Sequence, residues 1–207
     1  MKTQKTDGRK RNAPETRRKI YQCANELFRQ YGLEKVSVDS IVEKAGISKG
    51  AFYVHFPSKD SLMSAIIAEY VNESDFNYRI FVKSFPDDTS VFLIFIALAE
   101  KIADNIVDNV GYNLIKIAYR IQIERNPGTD ILLDYNRDIY SLFRDLINRG
   151  IQSREFKTEI PVDVIADHFV MALRGLTYEW CIRYPDFDIK KQFREHFEIL
   201  LSGIKKQ

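Results

Sequence analysis

Between Gly46 and Phe56 the chain reads Gly-Ile-Ser-Lys-Gly-Ala-Phe-Tyr-Val-His-Phe. The residue types and their spacing suit contact with double-stranded DNA. Gly46 permits a sharp turn between two short helices. At helical spacing Ile47, Phe52 and Phe56 face a core, which leaves Lys49, Gly50, Ala51, Tyr53 and His55 facing outward. Gly50 and Ala51 are small enough for the helix backbone to approach base edges. Ser48 caps the second helix, whose first amides present positive dipole to a phosphate. Tyr53, His55 and Lys59 are donors suited to phosphate oxygens. Lys49 is the only long charged side chain at the tip, and so the candidate for a guanine contact in the major groove.

Helices must position this stretch, and the chain is rich in helical periodicity. Ile20, Ala24, Leu27, Phe28 and Tyr31 fall on one face of a first helix, with Thr16 as its expected cap and Gly32 as its stop. A second, short helix is capped by Ser37, runs through Val38, Ile41, Val42 and Ala45, and stops at Gly46. The third begins at Ser48. After Pro57 and Ser58 a long helix carries Leu62, Ile66 and Tyr70 on one side.

Pro86-Asp87-Asp88 is the next break. Val91 to Val107 is apolar nearly all round, as in a helix buried inside a bundle. Leu114, Ile117, Ala118 and Ile121 continue the pattern up to a turn at Asn126-Pro127-Gly128. Leu132, Tyr135, Ile139, Leu142, Phe143, Leu146 and Ile147 form another amphipathic face. Ser153 to Pro161 reads as a loop, and Val162 to Arg183 and Ile189 to Lys205 as the last helices. The expected fold is all-α, with about nine helices. Residues 1–13 form a flexible basic arm and residues 14–60 a three-helix helix-turn-helix domain with its motif at 37–56. Residues 61–207 form a helical bundle.

The pattern at 46–56, followed by Ser58-Lys59-Asp60-x-Leu62, resembles the signature of TetR/AcrR-family transcriptional regulators. Thr16-Arg17 entering the first helix, Leu27-Phe28 before Gly32, and Ser37-Val38-x-x-Ile41 before Ala45-Gly46 match it too. The resemblance covers roughly residues 14–62. It implies a DNA-binding regulator, most often a repressor released from a palindromic operator by a small, largely apolar effector. It places Thr16 and Ser37 with Ser48, Lys49, Gly50, Ala51, Tyr53, His55 and Lys59 among the DNA-contacting positions. It also implies a C-terminal domain for effector binding and homodimerisation.

The remaining residues are compatible with those roles. Apolar stripes at Phe169, Ala172, Leu173, Leu176 and Trp180, and at Phe193, Phe197 and Leu200, could form a four-helix dimer interface, although burial against the same chain serves them as well. Phe76, Phe95, Tyr119, Tyr140 and Phe143 could line an apolar effector pocket, although ordinary core packing serves any one of them as well. An activator or nucleoid-associated factor without a ligand, and a helical sensor that does not bind DNA, are the competing readings.

No activated nucleophile, Gly-rich phosphate loop or paired carboxylates stand at a recognisable spacing, so an enzyme is not expected. His168 and His196 have no partners at ligand spacing, and neither a metal nor another cofactor is expected. The net charge of +2 is unevenly spread: residues 1–60 carry +6 and the remainder −4, and four of those six charges fall within residues 1–12. The folded reading domain is therefore only mildly basic. The most apolar stretch, Val91 to Ala99, is too short to cross a membrane. Cys23 and Cys181 read as reduced thiols, which fits a cytoplasmic setting.

Overall fold

Ser37, Gly46 and Ser48 set the boundaries of the first short helices in the computed structural model, which describes residues 13–32, 34–125, 134 and 137–206. The basic arm before residue 13, the turn at 126–128, Leu132 and Tyr135 lie outside the described residues. Nine α-helices and one π-helix occur among the described residues: α1 (Ala13–Tyr31), α2 (Val38–Ala45), α3 (Lys49–His55), α4 (Lys59–Lys83), α5 (Val91–Asp104), the π-helix (Asn105–Val110), α6 (Tyr112–Ile123), α7 (Asp138–Gln152), α8 (Val162–Arg183) and α9 (Ile189–Ser202). A single isolated bridge pairs Phe156 with Lys205. No described helix is long and apolar enough to cross a membrane.

The chain separates into two compact units, residues 1–67 with 121–129, and residues 68–120 with 130–207. In the first, Ile20, Ala24 and Phe28 of α1 are buried together with Ile41, Val42 and Ala45 of α2, Phe52 of α3 and Leu62, Met63 and Ile66 of α4. Tyr31, expected on the same face of α1, is half exposed where the helix ends. The helix ends at Gly32, in the left-handed conformation at φ 76° with its amide bonded to the Phe28 carbonyl. At the other end α1 is already helical at Ala13, so Thr16 lies inside its first turns and is not its cap.

In the second unit α5 packs against α7 and α9, and α8 against α7 and α9. Their centre is aromatic. Phe95 and Phe143 are stacked with centroids 5.9 Å apart, and Phe169 lies 4.9 Å from Phe95 and 5.1 Å from Phe197. Gly150 of α7 is required by close approach: a Cβ there would sit inside the Phe156 ring. The helix expected over Val91 to Val107 changes character at Asn105, where a π-helical turn runs to Val110. The Asn105 amide donates there to Ser74 Oγ and to the Tyr78 hydroxyl of α4, at 3.0 and 2.9 Å. Nothing in the apolar pattern of Val91 to Val107 marks this switch.

The N-terminus of α5 is capped from a distance. Ser90 makes no side-chain cap bond. Instead Glu155 accepts the Val91 amide at 2.9 Å, the Phe92 amide at 3.3 Å and the Ser90 hydroxyl at 2.6 Å. A carboxylate at this position meets both the free amides and the positive end of the helix dipole.

Candidate nucleic-acid interface

Local hydrogen bonds shape the motif at 37–56. Ser37 and Ser40 form a reciprocal cap: the Ser40 amide donates to Ser37 Oγ and the Ser37 amide to Ser40 Oγ, each at 3.1 Å. This stops the chain from fraying before α2. Gly46 then takes a left-handed conformation at φ 61°, and its amide bonds back to the Glu43 carbonyl at 3.0 Å. Only glycine adopts that geometry without strain. Ser48 accepts the Ala51 amide at 3.1 Å and starts α3. Ser58 and Ser61 repeat the reciprocal cap at the start of α4.

Around this frame α3 presents an open face. Lys49, Gly50, Tyr53 and Val54 are exposed, while Ala51 and His55 are half-buried. Phe52 and Phe56 turn inward and are buried. The Tyr53 ring stands edge-on to Phe52, 5.3 Å between centroids. Thr16 is half-buried, and Ser37 and Ser48 are exposed caps.

Two of the expected contacts are engaged within the protein. Lys49 Nζ lies 2.8 Å from Asp39 Oδ1, and the carboxylate holds the ammonium pKa above the usual lysine value through a hydrogen bond and charge. Lys59 Nζ donates to the Val36 carbonyl at 3.1 Å. A lysine ammonium has three donors, so an internal partner does not by itself preclude a phosphate or base contact.

Three residues at this site escape sequence reasoning. Val54 is 81% exposed on α3 and offers a methyl surface of the kind that meets thymine; its position one turn after Gly50 could have marked it. Asp39, the partner of Lys49, gives no local signal. Neither does Arg17, whose Nη1 donates to the His55 carbonyl at 3.1 Å.

The expected pocket residues differ in their surroundings. Phe95, Tyr140 and Phe143 are fully buried in the aromatic core, whereas Phe76 is exposed on α4. The Tyr119 hydroxyl donates to the Arg174 carbonyl at 2.7 Å, and burial pushes its pKa well up. A groove of about 460 Å³ lies elsewhere, walled by Phe92, Leu93, Arg154, Glu155, Lys205 and Lys206, and contains none of the five.

The expected interface set needs a similar correction. Phe169, Trp180, Phe193 and Phe197 are buried in the chain's own core, and Leu173, Leu176 and Leu200 are packed partly against it. Ala172 is half-buried. The apolar side chains that α8 leaves exposed are Val164, Met171, Tyr178 and Ile182. With exposed His168 and Gly175 they form a second stripe at helical spacing. The more apolar stripe is consumed first because burying it closes the monomer's core.

Residues 20–66 match the family model of the bacterial regulatory proteins of the tetR family. Over nearly its whole length the chain is similar to curated regulators. It is 27% identical to the HTH-type transcriptional regulator AcrR of Shigella flexneri, covering 93% of this chain and 91% of that protein. It is 24% identical to the HTH-type transcriptional repressor BepR of Brucella suis, covering 87% of each. Among solved structures, a TetR-family regulator of Pectobacterium atrosepticum superposes with a TM-score of 0.78 at 18% identity, covering 95% of this chain and 97% of that one. The repressor FadR of Thermus thermophilus, solved in complex with lauroyl-CoA, superposes at 0.70 and 15% identity, covering 92% and 96%. The reading domain is that of a TetR/AcrR-family transcriptional regulator, and the all-α fold of the whole chain is the fold of these proteins.

Proposed function

We propose that this TetR/AcrR-type chain is a transcriptional repressor that binds a palindromic operator as a homodimer and is released by a small, largely apolar effector. The observation that carries the reading is the exposed face of α3, held between a serine cap and a left-handed glycine turn and presenting Lys49, Gly50, Tyr53 and Val54 outward. One such helix reads few bases. Two copies would read half-sites separated by about 34–36 Å, one turn of the duplex. The exposed stripe Val164, Met171, Tyr178 and Ile182 is the surface on which we place the dimer contact.

Release needs a mechanical link, and α4 supplies one because it is a single helix from Lys59 to Lys83. Its C-terminal half is held by Arg137, which pairs with the buried Asp75 at 2.9 Å, and by Arg79 bonded to Asp138 and Asp145. An effector that favours another arrangement of those partners would bias α4, whose first residues close the reading domain. FadR bound to lauroyl-CoA and the related RolR bound to resorcinol support an effector with an acyl or aromatic body.

The test is a pair of titrations on the full chain. Fluorescence anisotropy against duplexes selected from genomic fragments should show specific binding that Tyr53→Ala or Lys49→Ala weakens by about tenfold or more. An acyl-CoA or phenol that stabilises the protein in a thermal-shift screen should weaken operator binding. By linkage the operator must weaken that ligand by the same factor, typically about 5–150-fold. Equal ligand affinity with and without operator would overturn the release mechanism, and no specific binding even at low salt would overturn the repressor reading.

A further inference from the structure

α3 has only seven residues, and an isolated helix of about two turns is not stable in water. Its pose therefore depends on what holds its two ends. Ser48 serves the first. The second lacks the usual left-handed glycine, because Phe56 is extended at φ −137°, ψ 111° and leads directly into Pro57. The Phe56 amide closes onto the Phe52 carbonyl at 2.9 Å, and His55, the last residue of the helix, has its carbonyl at that end. That carbonyl accepts the 3.1 Å hydrogen bond from Arg17 Nη1, across 38 residues of sequence. The same guanidinium lies over the Phe56 ring, its Cζ 4.4 Å from the ring centroid.

We infer that Arg17 is a positioning residue for DNA reading, a cap supplied by α1 that sets the orientation of α3. Its charge sits at the negative end of the α3 dipole and its guanidinium carbon lies over the buried aromatic ring that ends the helix. Both contacts together require a planar cation with donors at its edge. A lysine ammonium can neutralise the carbonyl or approach the ring, but it cannot stack and donate in this geometry. Phe56 is only 2% exposed, so the ring that Arg17 engages is anchored in the core and transmits a fixed direction to the helix above it. The inference rests on the DNA-binding reading for its functional consequence, but not for the capping itself.

Two measurements separate this role from a phosphate contact. In DNA-free full-length protein, Arg17→Ala should raise hydrogen exchange at the amides of Phe52 to Phe56 on the order of tenfold, with amides of α2 unchanged. Arg17→Lys should recover little of the protection. With operator, Arg17→Ala should lower specific affinity about tenfold while non-specific affinity and the salt slope stay as in the unmodified protein. Unchanged exchange in α3 would overturn the inference. So would a salt slope shallower by about 0.9 that Arg17→Lys restores in full, the mark of one lost phosphate contact. If Arg17→Ala loosens the whole N-terminal unit, Arg17→Gln, which keeps more of the side chain's bulk, carries the same comparison. If the unmodified protein binds no operator, the repressor reading fails, and the exchange experiment still decides the cap.

Discussion

Lys49 and Asp39 form an ion pair, Nζ to Oδ1 at 2.8 Å and to Oδ2 at 3.1 Å, that bridges the first residue of α3 to the second residue of α2 across the turn at Gly46. The residue best suited to read a guanine is thus held by a carboxylate on the neighbouring helix. Both side chains are exposed, so DNA can compete for the ammonium.

Asp39→Asn should therefore free Lys49 and remove a negative charge from the exposed surface beside α3. Binding to a scrambled duplex is expected to rise roughly threefold to tenfold at low salt, with a smaller gain on operator and so poorer discrimination. Lys49→Ala should cost about tenfold on operator, the low end of what one base contact contributes. Anisotropy titrations on both duplexes check this. If neither variant changes either affinity, Lys49 does not touch DNA.

Gly46→Ala should destabilise the N-terminal unit by about 1–2 kcal/mol, the cost of holding an L-residue in the left-handed region. The space itself is available, since an added Cβ would meet only Lys19 Nζ at 3.8 Å. The loss is conformational, and urea unfolding should show a lower midpoint. Gly46→Asn should lose less, because asparagine tolerates this conformation better. An alanine variant as stable as the parent would contradict the observed turn.

Glu155 makes stability depend on pH at the acid end. Burial raises its pKa, but hydrogen bonds from Ser90, the Val91 and Phe92 amides and Ser153 outweigh that and hold it below the ordinary glutamate value of 4.5. A carboxylate with a depressed folded pKa contributes stability above its unfolded pKa and loses it as pH falls through the folded value. Glu155→Gln should cost about 0.5–2 kcal/mol at neutral pH, as for a lost helix cap, and flatten the loss of stability below pH 4.5. Denaturant midpoints between pH 3 and 7, roughly the span in which a carboxylate titrates, test this. Parallel curves for parent and variant would show that another group governs the acid limb.

Met171→Asp places a charge on the exposed stripe of α8, where Met171 is 53% exposed in the single chain. The fold should survive, because no core packing is lost. Light scattering should report a monomer, and operator affinity should fall by two orders of magnitude or more as the second half-site contact is lost. A variant that stays dimeric would place the interface elsewhere.

Much of the reading domain was legible in residue order. The Ser37 and Ser48 caps, the Gly46 turn and the inward Phe52 and Phe56 all act within a few residues of themselves, so local chemistry specifies them. The boundaries of α8 were legible for the same reason, with Pro161 before it and Pro185 just beyond its end. The π-helical turn at Asn105 was not, since the Asn105 amide bonds to Ser74 and Tyr78 on another helix, a pairing that residue order does not carry.

By itself the sequence determined where the short helices α2 and α3 begin and end, and that Phe52 and Phe56 turn inward, because periodicity and capping are short-range. Only the tertiary structure decided which of the two stripes on α8 is spent on the core and which stays exposed. Two stripes on one helix look alike along a chain, and the choice depends on which neighbours close around it. The tertiary structure also decided that Lys49 rests on Asp39 and that Arg17 caps α3. Those pairings follow from the angles at which helices cross, and the order of residues does not carry them.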